Sequence, residues 1–172
     1  EIEKNNFFEN ICFVSQDSYV FNGSIKDNII DGKNFDESRF RKVIQITQSD
    51  KFIYSLNEKE NTRIGERGLK ISGGQLQRLI LSRSLYKNPK ILFIDEATSA
   101  LDPLIEEQIL FNIKQNFSQM TVINIAHRLS SIKNSDSICL LQGGKIVFEG
   151  PYSLITKESD VFRSLFKIND WR

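Results

Sequence analysis

The stretch Lys90-Ile91-Leu92-Phe93-Ile94-Asp95 restricts the fold more than any other. It shows neither the polar alternation of a half-buried strand nor the three-and-four spacing of an amphipathic helix. A continuous apolar run of this length, closed by an acid, suits a central parallel strand buried on both faces. Parallel strands need crossover connections, and helical patterns flank the run on both sides. Gly74–Tyr86 carries Leu76, Leu79, Ile80, Ser84 and Leu85 at helical spacing, and Pro103 opens a helix to about Phe117. Thr121–Ala126 then reads as a second buried strand. Strand–helix–strand alternation predicts an α/β protein with a mostly parallel sheet.

The remaining segments fit around that core. Ile11–Val14 reads as a short buried strand, and Gly23–Ile30 as a helix. Asp36–Gln48 reads as another helix, with Asp36 as N-cap and Phe40, Val43 and Ile44 turned inward. Asn57–Gly68 is polar and reads as a loop. Ser137–Leu141 and Lys145–Phe148 flank Gly143-Gly144 as a β-hairpin, and Pro151–Lys167 is a helical tail. The expected division is a core strand in 1–16, a helical subdomain in 17–88, and the rest of the core in 89–172.

Charge narrows the function classes. The net charge is +1, with basic residues spread among acids, so no nucleic-acid footprint is visible. No uncharged apolar run approaches the ~20 residues that span a bilayer. Cys12 and Cys139 lack metal or redox spacing and are expected to be buried small residues in a reducing compartment. The chain starts at Glu1 and its only methionine is Met120, so a processed or cropped N-terminus is expected.

Four short stretches carry chemistry. Ser72-Gly73-Gly74-Gln75 precedes a helix-forming run. A helix N-terminus offers unpaired N–H groups and a positive dipole end, glycines let a phosphate approach, and Ser72 adds a hydroxyl. The plainer reading of an isolated S-G-G is a helix cap. Asp95-Glu96 sets two carboxylates at the carboxyl edge of a sheet, where ligands bind in open α/β folds. An acid there can hold Mg²⁺, and its neighbour can polarise a water; alone, the pair is also a solvated strand end. His127, the only histidine, follows a strand and suits a hydrogen-bonding role near phosphate. Gln16 follows Ile11–Val14 and can bind Mg²⁺ through its carbonyl oxygen or orient a water.

Taken in order, Gln16, Ser72–Gln75, Asp95-Glu96, Ser99-Ala100-Leu101-Asp102 and His127 resemble the ATP-binding-cassette (ABC) ATPases. In that family these stretches are the Q-loop, the signature motif, the Walker B strand with its catalytic glutamate, the D-loop and the switch histidine. Ile71 stands where leucine is usual, an apolar exchange that preserves packing. The resemblance implies a P-loop NTPase (RecA-like) core with an ABC helical subdomain, and ATP and Mg²⁺ as ligands. It implies catalytic roles for Glu96, His127 and Gln16, and Mg²⁺ contacts for Asp95 and Gln16. Ser72, Gly73, Gly74, Gln75 and Asp102 would contact nucleotide held between two cassettes packed head to tail, expected as a homodimer.

Two more stretches resemble exporters within that family. Val20–Ile29 looks like the segment after the Q-loop, and Thr62–Gly68, with Gly65-Glu66-Arg67-Gly68, looks like the X-loop. Both imply contact with a transmembrane domain through Phe21 and Gly65–Gly68, at the cytoplasmic face of a membrane. The rival readings are a soluble ABC ATPase of DNA repair or translation, and a non-enzymatic partner that lends a signature motif. The phosphate-gripping pattern G-x-x-x-x-G-K-[ST] occurs nowhere in the 172 residues, which resemble the C-terminal part of a nucleotide-binding domain. The purified 172-residue chain is therefore expected to turn over no ATP in a phosphate-release assay; measurable turnover would contradict this reading.

Overall fold

The computed structural model describes residues 10–65 and 68–167. These fall into two compact units, divided between Ile125 and Ala126. In chain order the first unit contains β1 (Ile11–Ser15), β2 (Gly23–Ser24), α1 (Ile25–Ile30), α2 (Glu37–Ile46) and α3 (Asp50–Tyr54). It continues with β3 (Arg63–Ile64), α4 (Gly73–Tyr86), β4 (Ile91–Asp95), α5 (Pro103–Asn116) and β5 (Thr121–Ile125).

The apolar run is the middle strand of a parallel sheet ordered β1-β4-β5. Cys12 lies opposite Leu92, and Leu92 opposite Val122; Phe13, Phe93 and Ile123 form the next row. Successive side chains of a strand point to opposite faces. Cys12, Val14, Leu92 and Ile94 therefore face one way, into a core that includes Leu79, Leu81, Ile109 and Ile113.

Burial on both faces, expected for β4, is only partial, with Leu92 and Ile94 buried and Ile91 and Phe93 half-buried, and β5, expected to be buried, is exposed along one row. The row of Phe13 and Ile123 is 58% and 42% exposed, and Phe93 is half-buried. The helices α4 and α5 supply side chains to one face only. On the other, the rings of Phe13 and Phe93 lie 6.0 Å apart between centroids.

The helical segments follow their caps. Asp36 accepts a hydrogen bond from Arg39 N at 3.0 Å and starts α2, whose Phe40, Val43 and Ile44 are buried. The segment expected to be helical from Gly23 begins instead at Ile25. Ser24 is extended, and its hydroxyl accepts from Asp27 N at 2.9 Å while the Asp27 carboxylate accepts from Ser24 N at 3.1 Å. This reciprocal capping box holds the Asp27 carboxyl below its usual range, chiefly through the Ser24 hydroxyl. Gly23 and Ser24 are left to pair antiparallel with Ile64 and Arg63. The polar stretch 57–68 is thus not all loop: it holds a short 3₁₀ turn, Lys59–Asn61, and then β3.

The second unit holds α6 (Leu129–Ile132), the antiparallel pair β6 (Ile138–Gln142) and β7 (Lys145–Gly150), α7 (Tyr152–Glu158) and α8 (Asp160–Phe166). Gly143 and Gly144, both at positive φ, make the hairpin turn as expected. The helical tail is broken at Ser159, which is extended and caps α8 by accepting from Phe162 N at 3.1 Å. Ile132, Ile138, Ile155 and Phe162 form a small core. Cys139, expected to be buried, is exposed: it alternates with the inward Ile138 on a two-stranded hairpin that buries one row of side chains.

Leu92 is fully buried at the centre of the sheet. Leu92→Ala is expected to destabilise the fold by about 3 kcal/mol, read as a lower urea midpoint at unchanged slope.

Candidate functional site

Parallel pairing aligns the carboxyl ends of the three strands. Ser15 lies opposite Asp95, and Asp95 opposite Ile125. Gln16, Asp95 and Glu96 therefore stand together at one sheet edge. His127 follows β5 by two residues, belongs to the second unit and is exposed.

Glu96 leaves β4 with φ of +50°, in the left-handed region. Among the described residues five other non-glycine positions have positive φ, and each lies at a helix end or turn. A left-handed glutamate at a strand end costs about 1–2 kcal/mol and is held here by tertiary contacts. One of these is its own N–H, which donates to Ile125 O at 3.3 Å. The twist carries the chain from β4 into a turn, where Ser99 N donates to Glu96 O at 3.1 Å.

The start of α4 is built as a cap. The Ser72 hydroxyl accepts from Gln75 N at 3.2 Å, and the Gln75 side-chain oxygen accepts from Ser72 N at 2.9 Å. The cap uses a lone pair of Ser72 Oγ and leaves the hydroxyl proton to donate outward. Gly73 and Gly74 occupy the first helical positions, whose N–H groups have no partner within the helix. Their lack of side chains has a local cause: a Cβ on Gly74 would lie 3.1 Å from Ala100 O, and one on Gly73 3.3 Å from Ala100 Cβ.

The same contact exposes a residue that sequence reasoning missed. Gln77, on α4, accepts from Ala100 N at 3.0 Å, and its amide nitrogen donates to Ser99 Oγ at 3.4 Å. It ties the helix to the turn Ser99–Asp102. A glutamine on an amphipathic helix looks like any solvated polar residue, so only the fold reveals this link. Asp102 caps α5, accepting from Leu104 N at 2.9 Å. Arg78 donates to Gln48 O at 2.7 Å and to Gly74 O at 3.4 Å, and its burial lowers the guanidinium pKa.

Between the end of β1 and the start of α4 lies a cleft of about 160 Å³, lined by Ser15, Gln16, Gly73, Gln77 and Ala97 among others. Drug-sized and cofactor ligands occupy pockets of roughly 300–1,000 Å³, so this cleft suits waters or an ion rather than a whole nucleotide. Gln16, which lines the cleft, offers a carbonyl oxygen, and Asp95, a carboxylate, ends the neighbouring strand. Among the described residues no cluster of three or more His, Cys, Asp or Glu forms a metal cage. A hard cation held by one or two protein oxygens, with phosphate and water completing its shell, is the Mg²⁺ pattern, and the set fits it.

The expected membrane-facing stretches also meet. β2 and β3 pair, and Gly65, at φ +103°, lets its backbone approach Asn22, where a Cβ would lie 2.9 Å from Asn22 Cα. Phe21 is 37% exposed. Glu66 and Arg67, the centre of the Gly65–Gly68 stretch, lie outside the described residues.

A three-stranded parallel sheet with acids at the carboxyl end of β4, and a glycine-led helix beside the end of β1, is an open α/β arrangement of the kind that binds ligands at its strand ends. Residues 2–99 match the family described as ABC transporter. The chain is 40% identical over 156 residues to a Rickettsia conorii protein whose name describes an export ATP-binding/permease protein, covering 90% of this chain and 27% of that one. It is 39% identical to the ATP-dependent lipid A-core flippase of Saccharophagus degradans, over 96% of this chain and 28% of the flippase. A solved bacterial Atm1-family ABC exporter with ATP bound superposes with a TM-score of 0.88 at 35% identity, covering 95% of this chain and 29% of that one. The chain belongs to the ABC transporter family. Its relatives are exporter proteins, and it spans about a quarter of their length, corresponding to their ATP-binding part.

Gln77→Ala is expected to speed amide exchange at Ala100 about tenfold by removing its acceptor, at a stability loss of about 1 kcal/mol. Unchanged exchange at Ala100 would show that the link is not formed in solution.

Proposed function

We propose that the full-length protein is an ABC exporter, in which ATP closes two cassettes head to tail and hydrolysis lets them part. The observation that carries this is the strand edge, where in-register pairing aligns the ends of β1 and β4 that lead to Gln16, Asp95 and Glu96, and the cleft that Gln16 shares with Gly73. Gly73 and Gly74 hold the first helical positions of α4, whose N–H groups have no partner within the helix, which suits contact with a phosphate. Ser72, Gly73, Gly74 and Gln75 then face the terminal phosphate of a nucleotide held by a partner cassette. Asp102 lies beside them on the turn that Gln77 fixes and links the two sites. The full set of these residues in one chain suits a homodimer, in which each cassette would supply the same set.

In this reading Glu96 is the general base, accepting a proton from the attacking water. Asp95 and Gln16 would hold Mg²⁺, which supplies charge neutralisation at the phosphates. His127 hydrogen-bonds the terminal phosphate and the same water. Phe21 and the Gly65–Gly68 stretch contact the transmembrane domain, with the cassette at the cytoplasmic face of the membrane. The division at residues 16 and 88 belongs to the same reading and is supported by β1 pairing with β4 across the helices between them. No helix among the described residues is long and apolar enough to cross a membrane, so the cargo pathway belongs to transmembrane segments like those of the permease relatives.

The test is Glu96→Gln in the full-length protein. Hydrolysis is expected to fall by about 100-fold or more while ATP binding persists, measured by phosphate release and by equilibrium binding of labelled ATP. Turnover like the native protein's would remove Glu96 from the role of base.

A further inference from the structure

We infer that Arg83 is a positioning residue that fastens the Tyr19–Asn28 segment to α4. Through it, a change at the phosphate-facing start of that helix reaches the exposed aromatic side chains of the segment. The inference rests on the exporter reading above.

Residues 18–22 belong to no strand or helix, so no ladder holds their backbone. Two side chains do so instead. Asn28, 1% exposed, accepts from Phe21 N at 2.9 Å and donates to Phe21 O and Ser24 O, both at 3.0 Å. Arg83 reaches across from α4. Its Nε donates to Asn28 O at 2.7 Å, one Nη to Asn28 Oδ1 at 2.7 Å, and the other Nη to Tyr19 O at 3.0 Å. Its guanidinium also sits 5.4 Å from the centre of the Phe21 ring. One planar cation thus meets three acceptors and an aromatic ring at once. A lysine ammonium cannot reproduce that fork.

The direction of transmission follows from what each end of α4 touches. The first turn holds Ser72–Gln75 and packs on Ala100. The last turn holds Arg83. A 14-residue helix moves as one rigid element, and the segment 19–22 goes where its hydrogen bonds take it. Tyr19, 73% exposed, and Phe21 then present that displacement at the surface. Burial lowers the pKa of Arg83, yet a guanidinium stays charged, so the fork persists at any physiological pH.

The experiment uses the full-length protein in lipid nanodiscs and the non-hydrolysable analogue adenylyl imidodiphosphate with Mg²⁺. Amide exchange is followed by mass spectrometry over 72–76, 19–24 and 91–95. With Arg83 in place, the analogue is expected to slow exchange about tenfold at both 72–76 and 19–24. In Arg83→Ala and Arg83→Lys, the slowing at 72–76 persists, that at 19–24 falls below about twofold, and 91–95 exchanges as before. Slowing at 19–24 in either variant equal to the native protein's would overturn the inference while leaving the exporter reading intact. So would faster exchange at 91–95, because Arg83 would then support the whole unit rather than position one segment. No response at 72–76 in the native protein would overturn the exporter reading and this inference with it. If Arg83→Ala does not accumulate as folded protein, Arg83→Lys alone decides by the same criteria.

Discussion

In-register parallel pairing of β1, β4 and β5 is the constraint on which the rest of the first unit depends. It brings strand ends from distant parts of the sequence to one line, with Ser15, Asp95 and Ile125 side by side. The row Cys12, Leu92 and Val122 then faces the helices, and the carboxylates have only one edge to occupy. A slip of one residue would turn Leu92 and Ile94 away from α4 and α5 and remove the core that holds the edge in place.

Helix α4 distributes that constraint. Its start packs on the turn after β4 through two glycines and Gln77. Its middle is anchored by Arg78 to the end of α2, and by the Ser82 hydroxyl, which shares a 2.6 Å hydrogen bond with Thr47. The Arg78 and Ser82 contacts are polar and half-buried or buried, so each depends on the packing around it keeping water out. The helix is less a floor for the sheet than a bar that touches the turn after β4, the end of α2 and the segment 19–28 in turn.

Segments whose apolar spacing is strong were legible in the sequence. Asp36–Gln48 and Gly74–Tyr86 need only a count of side-chain periods, and Lys90–Asp95 only its unbroken apolar run; their observed bounds differ from the expected ones by a residue or two. The short pair β2 and β3 was not legible, because two-residue strands have no period to detect and are created by the capping box of Ser24 and Asp27. One-sided burial of the sheet was hidden for another reason: Phe13 and Ile123 are as apolar as Val14 and Leu92, and only packing tells the two rows apart. Of the candidate site, the ordered acids, glycines and glutamine were readable as residue types. Gln77 and Arg83 were not, since their partners are backbone atoms brought close by the fold.

Glu96 sets two demands on one position against each other. Its left-handed backbone is one that asparagine or glycine would adopt with less strain. Under the general-base role proposed above, stabilising this position alone would favour losing the carboxylate that turnover needs. In that proposal the strained residue is where persistence of the fold and turnover by the full-length protein pull in opposite directions.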